Sequence, residues 1–280
     1  MATLEPGIAR HYDISGLEER ILAALADTGV DIAHLRAGDL EAADEFHIGG
    51  VAATRELVDQ MDLKPAAKLL DIGSGIGGPA RFVANSAGAE VTGIDLTQSY
   101  VDIATSLSKR TGMAGKTRFV QGSALDMPFA NDSFDAAVIL HVGMNLPDKP
   151  KLMSETARVL KPGGIFAVYD VMRLKDGALS YPLPWASDET MSFVATPDDY
   201  RAAAAAAGFL VKAERQRGAF AVEFFATMRA RMAAAKAEGK KPPPGVGLVM
   251  GEDARTKIAN ITAALEAGIL APVELILRLG

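Results

Sequence analysis

Short apolar runs bounded by glycine and proline alternate along this chain with longer stretches whose apolar residues recur every three or four positions. Residues 67–72 (AKLLDI) end at a glycine cluster and read as a buried strand entering a tight turn. Residues 79–87 then read as a helix, 90–94 (EVTGI) as a strand, 98–109 as a helix and 117–120 as a third strand. The rhythm continues through a fourth strand at 133–140 (SFDAAVIL), a helix at 149–160, the turn Lys161-Pro162-Gly163 and a fifth strand at 164–171 (GIFAVYDV). Such alternation predicts an α/β fold with a parallel sheet, helices on both faces and right-handed crossovers. A helix at 196–207 opens with Thr-Pro-Asp-Asp and stops at Gly208, before a sixth strand at 209–215; 272–279 (PVELILRL) is the seventh. Between those two strands lie two helices, 220–238 and 252–267, amphipathic in outline and joined by a Pro/Gly loop at 241–247. The first 60 residues are mostly helical in pattern.

The implied organisation is an N-terminal helical lid at 1–60, a core at 61–216, a helical insertion at 217–270 and a final core strand at 271–280. Both helical additions are natural covers for the carboxyl ends of the strands, where open α/β sheets bind ligands.

Composition narrows the function. Hydrophobic residues make up 49% and charged residues 23%, which is globular rather than disordered. The net charge is -6 and no basic run exceeds Lys240 and Lys241, which argues against nucleic acid as a partner. There is no cysteine, which excludes disulfides, cysteine-ligated zinc and a thiol nucleophile, and fits a reducing compartment. With neither an apolar leader pattern nor a membrane-length apolar run, a cytoplasmic chain without membrane contacts is expected.

The segment Asp71-Ile72-Gly73-Ser74-Gly75-Ile76-Gly77-Gly78 follows the first strand and opens a helix, as a nucleotide-binding glycine loop must. Asp95 ends the second strand 18 residues past Gly77, where a carboxylate accepts hydrogen bonds from both ribose hydroxyls. Gly73, Gly75 and Gly78 also satisfy dinucleotide spacing, so an NAD-dependent oxidoreductase is one reading. Asp71 opposes it, because a carboxylate at the mouth of the loop would face a pyrophosphate. The same carboxylate attracts the ammonium and sulfonium of S-adenosylmethionine. Its alternative role is to cap the following turn. Downstream, Ala124 and Leu125 are placed to line an adenine and the Ser123 hydroxyl to reach its amino edge.

The series D-I-G-S-G-I-G, G-I-D, G-S-A-x-x-M-P-F, F-D-A-A and L-K-P-G-G resembles the class I S-adenosylmethionine-dependent methyltransferases over residues 65–172. Glu45-Phe46-His47-Ile48-Gly49-Gly50, His141 and Tyr181-Pro182-Leu183-Pro184-Trp185-Ala186 resemble the glycine, sarcosine and dimethylglycine N-methyltransferase group. A broader similarity extends to the ubiquinone and menaquinone biosynthesis methyltransferases. The resemblance implies a Rossmann-like seven-stranded sheet with an antiparallel last strand and S-adenosylmethionine as cofactor. It further implies a small-molecule acceptor and no metal. Cofactor contacts then fall on Asp71, Gly73, Ser74, Gly75, Gly77, Asp95, Leu96, Gln98, Ser123, Ala124, Leu125 and His141. Ser123 departs from the Asp that relatives often carry there.

Methyl transfer is an in-line displacement, so the enzyme aligns the nucleophile, excludes water and handles a proton. His141, just past the fourth strand, is a candidate base or a substrate-positioning group; His47 is expected to fold over the cofactor and help place the substrate. His11 and His34 read as solvated surface residues. Tyr12 and Tyr181 are further catalytic candidates, and Met144 and Trp185 candidate substrate contacts, aromatic faces suiting a cationic amine; packing of the covers is the other reading of Trp185. Nothing resembling Asn-Pro-Pro-Tyr follows the fourth strand, which weighs against methylation of adenine or glutamine amides. The resemblance implies a small-molecule acceptor, with an amine or amino acid nitrogen as one expectation and C- or O-methylation of a quinone-like or other small metabolite as the alternative. A non-catalytic S-adenosylmethionine-binding protein is a further reading, and a homodimer is compatible with all of them.

Overall fold

Strands whose side chains are buried on both faces form the centre of a seven-stranded sheet in the computed structural model, which describes residues 5, 7, 12, 16–239, 245, 247–251 and 253–280. The strands are β1 (Lys68–Ile72), β2 (Glu90–Asp95), β3 (Thr117–Gln121), β4 (Phe134–Leu140), β5 (Leu160–Arg173), β6 (Phe209–Gln216) and β7 (Leu270–Leu279). The order is β3-β2-β1-β4-β5-β7-β6. β1 pairs parallel with both β2 and β4, and β7 runs antiparallel to its neighbours β5 and β6. Strand order thus reverses between β1 and β4, the place where such sheets hold ligands.

Alternation along each strand builds two cores. Leu70, Ile72, Ala137 and Ile139 point to a cluster under α6 (Lys149–Val159) and α7 (Pro197–Ala206); Leu69, Ala136 and Val138 point to one under α3 (Gly50–Val58) and α4 (Gly78–Ser86). A third cluster joins α1 (Leu17–Asp27) and α2 (Ala37–Asp44) to α5 (Gln98–Arg110) through Leu17, Ile21, Leu40 and Leu107. A fourth holds Phe225 of α8 (Gly218–Ala237) and Ile261 of α10 (Ala254–Glu266) against Val171 and Trp185. The short α9 (Gly247–Met250) packs on α1, so the two helical additions meet each other. Among the described residues, no helix is long and apolar enough to cross a membrane.

Three expectations change. β5 begins at Leu160, because the Lys161-Pro162-Gly163 turn is absorbed as an irregularity: pairing jumps from Phe134–Leu160 to Ala136–Ile165. β7 begins at Leu270, two residues earlier than its proline suggests, Pro272 being paired across to Val171. α8 is not amphipathic throughout. Its buried residues are Gly218, Ala221 and Phe225, and nothing from Ala226 onward is buried, since the alanine-rich half runs away from the sheet. His11, Lys240, Lys241 and most of the 241–247 loop lie outside the described residues, and His34 is exposed, bonded to Asp31 at 2.8 Å.

The N-terminal helices are fastened to the sheet by a charge. Arg81 of α4 is fully buried, and its guanidinium donates to Asp44 at 2.7 Å and to the Ile76 carbonyl at 2.8 Å. Gly78 lets α2 approach this closely, for a Cβ there would stand 2.2 Å from the Asp44 carbonyl oxygen. Removing one partner leaves the other buried without compensation. Arg81→Met is therefore expected to lower stability by about 3–5 kcal/mol in urea denaturation, and Asp44→Leu/Arg81→Met, which removes both charges, by less.

Candidate active site

Loops at the carboxyl ends of β1 to β5 open into a cavity of about 680 Å³, within the range of small-molecule sites. Its floor begins at the glycine loop, where the Gly73 and Ser74 amides both donate to the Ile94 carbonyl, at 2.8 and 3.0 Å, and so tie the loop to β2. Asp95 accepts from the Gly75 amide at 2.8 Å and the Thr97 amide at 2.9 Å. The two bonds hold its carboxylate at the cavity edge with lone pairs to spare. Gly73, Ser74, Gly75, Asp95, Leu96, Ala124 and Leu125 all line the cavity.

Four expected cofactor contacts are altered. Asp71 is buried beneath the loop and does not reach the cavity wall; its Oδ2 finds no partner among the described residues. Burial first, and then the charge of Asp95, push its carboxyl up to about 7. Gly77 packs under Phe119 and Arg81 at the start of α4 and faces no ligand space. Gln98 is exposed and donates to Asp102 at 2.7 Å, one helical turn on. Ser123 lines the cavity, but its hydroxyl already accepts from the Leu125 amide at 3.0 Å and donates to Glu5, so it is not free to read an adenine edge.

Opposite the loop, His141 adopts a left-handed backbone, with φ of 53°, and its amide donates to the Tyr169 carbonyl at 2.7 Å. The ring stacks on Tyr169, centroids 4.8 Å apart. Nδ1 accepts from the Ile48 amide at 3.2 Å, and an amide only donates, so the ring proton sits on Nε2. That Nε2 is buried and has no partner among the described residues. Burial, aided by the neighbouring His47, holds His141 well below the ordinary histidine range. His141 is thus a neutral ring whose Nδ1 lone pair is engaged by Ile48, the arrangement of a donor rather than of a base.

His47 also lines the cavity. Its Nε2 lies 3.0 Å from both the Gly50 carbonyl and the Thr54 hydroxyl, and Thr54 donates onward to Glu45 at 2.8 Å. Burial lowers His47 to about 4, so it too is uncharged. Tyr12 reaches the cavity and accepts from Asn145 at 3.1 Å; burial raises its phenol above the usual range and keeps it protonated. Met144 and Trp185 line the cavity, the indole N–H donating to Ser192 at 3.0 Å. Tyr181 does not. Leu183 and Ala186 pair across a tight turn that carries Pro184 and Trp185 inward and leaves Tyr181 packed in the helical cluster behind.

Several lining residues had no motif to mark them. Asn145 follows His141 by one turn, and Ile48 was visible only as part of the Glu45–Gly50 string. Phe224, Phe225, Met250 and Ile261 come from the insertion, where their only signal was an apolar residue on a helix.

Residues 70–168 match the family described as a methyltransferase domain. A sterol 24-C-methyltransferase of Gibberella zeae is 41% identical, and squalene methyltransferase 1 of Botryococcus braunii 44% identical, each over 114 residues. That stretch is 41% of this chain, and it spans only 30% of the length of either relative. In three dimensions the chain is similar to geranyl diphosphate C-methyltransferase from Streptomyces coelicolor A3(2). The TM-score is 0.70 at 20% identity, over 99% of this chain and 98% of that one. A protein described as a sarcosine dimethylglycine methyltransferase, from Galdieria sulphuraria, aligns with TM-score 0.69 at 20% identity, over 94% and 97%. At these identities the structural likeness establishes the fold.

Asp71 offers a thermodynamic check on the loop. Its folded pKa of about 7 lies above the ordinary 3.8, so its contribution to stability is present at low pH and lost as pH rises through 7. Asp71→Asn lacks that loss, so thermal melts of the unliganded protein should show the variant gaining on wild type by about 2–3 kcal/mol between pH 5 and pH 8. A constant difference across that range would mean that Asp71 is ionised normally. The glycine loop, the reversal of strand order and the family match thus coincide on one segment, residues 70–168, which match a methyltransferase domain.

Proposed function

We propose that the chain transfers the methyl group of S-adenosylmethionine to a small-molecule acceptor. One observation carries this: a single cavity joins the glycine loop and Asp95 to His47, His141 and Trp185, which come from elements far apart in the sequence. The cofactor fits the groups present. Ser74 Oγ and Asn145 Oδ1 are buried acceptors without a partner among the described residues, suited to an ammonium. That Asp95, Ala124 and Leu125 line the same cavity supports their roles toward the ribose hydroxyls and the adenine.

When bound, S-adenosylmethionine supplies an electrophilic methyl group on a sulfonium centre. This chain's residues then do three things. The glycine loop and Asp95 fix one reactant, and His141 offers Nε2–H to orient the other. The N-terminal segment and the insertion wall the site from water with Ile48, Phe225 and Ile261. The acceptors named for the relatives differ widely: sterol, squalene, geranyl diphosphate and sarcosine. The shared frame therefore serves acceptors of unlike chemistry.

S-Adenosylhomocysteine should raise the melting temperature, and calorimetry should show Asp95→Ala weakening its binding by about 1.5–3 kcal/mol, through loss of charge-assisted hydrogen bonds. Saturable binding of NADH in its place would favour an oxidoreductase, and binding without methyl turnover of labelled cofactor in a metabolite extract would favour a non-catalytic protein. His141→Ala should bind S-adenosylhomocysteine normally and lose turnover. Its pH–rate profile should keep the wild-type shape between pH 6 and 8, since the lost group does not titrate there; loss of a limb in that range would restore the base role.

A further inference from the structure

The cavity is divided by the order of the strands. Its acidic groups, Asp95, Asp126 and Glu5, gather at the ends of β2 and β3, where the cofactor's ribose and adenine would lie. The opposite half, at β4, β5 and the insertion, is walled by Met144, Val171, Trp185, Phe225, Met250 and Ile261. Among the described residues, no lysine or arginine lines either half. The remaining lining carboxylate, Asp44, is neutralised by Arg81 at 2.7 Å.

The polar groups facing the apolar half carry no charge. His141 presents a neutral N–H, His47 is buried and uncharged, and Tyr12 is a phenol bonded to Asn145. The indole N–H of Trp185 is spent on Ser192. An ionic group entering this half would shed its hydration and meet neither an opposite charge nor a charge-assisted hydrogen bond. An apolar body gains from the same walls, and one hydroxyl or alkene can lie against the His141 N–H at no such cost.

We propose that the methyl acceptor of this site is an uncharged, largely apolar molecule, and that phosphorylated, carboxylated and cationic acceptors are rejected. The proposal rests on the assignment of the other half to S-adenosylmethionine.

The test is a matched series with one apolar body: farnesol, farnesyl phosphate and farnesylamine, titrated into protein saturated with S-adenosylhomocysteine. Trp185 is the only tryptophan in the chain, so its fluorescence reports on this half alone. Farnesol should change the emission saturably, with a dissociation constant at least tenfold below those of the phosphate and the amine. Phe225→Ala should weaken farnesol fivefold or more while S-adenosylhomocysteine, measured by calorimetry, binds as in wild type. Farnesol that leaves the emission unchanged, or a phosphate or amine that binds as well as the alcohol, overturns the proposal. Failure of S-adenosylhomocysteine to bind in the calorimeter instead overturns the functional reading beneath it.

Discussion

Everything around the cavity depends on one buried ion pair, Asp44 with Arg81. It brings the end of α2 down on the start of α4, so the six residues from Glu45 to Gly50 are laid across the glycine loop. The Ile48 amide then reaches His141, and its carbonyl accepts from the Tyr169 hydroxyl at 2.9 Å. Those two bonds clamp the histidine stack and decide which ring nitrogen of His141 holds the proton. A charge pair so deep contributes little net stability, because desolvation offsets most of the attraction. Its effect is on position, since the pair and the close approach at Gly78 together fix where α2 meets α4.

A second polar knot supports the opposite wall. Tyr200 donates to Asp170 at the end of β5, Asp170 accepts also from the Val171 amide at 3.0 Å, and Lys149 donates to the carbonyls of Leu146 and Phe193 at 2.6 and 2.8 Å. Gly143 passes directly over this knot, where a Cβ would stand 2.1 Å from the Asp170 carboxyl. The 143–146 segment is thereby pinned, and it delivers Met144, Asn145 and Leu146 to the cavity. Both walls are therefore held from behind by buried charges while presenting neutral surfaces to the inside. The arrangement suits a reaction in which one reactant already brings a positive charge, because further fixed cations in the walls would repel it.

The open end of the sheet makes room for this. A parallel sheet closed at β5 would leave the cavity exposed on its acceptor side. β6 ends and the antiparallel β7 begins beside the carboxyl end of β5, so the long excursion between them leaves and returns at that end, folding as α8 to α10 to supply Phe225, Met250 and Ile261. The insertion is thus part of the same packed body as β5, sharing a hydrophobic cluster with Val171 and Trp185.

The sequence by itself determined the strands, the helices between them, the glycine loop and the position of Asp95, because each is written in a contiguous stretch. Apolar periodicity reports which residues are buried, and a glycine cluster between strand and helix has few conformations open to it. Only the tertiary structure decided that Asp71 lies beneath the loop, that Ser123 is occupied by Glu5, and that Trp185 rather than Tyr181 enters the cavity. It also decided that His141 is a donor, through a bond to Ile48 that joins residues 93 positions apart. A histidine's tautomer and a carboxyl's ionisation are set by whatever lies within hydrogen-bonding reach in space, and local pattern carries no information about partners that distant along the chain.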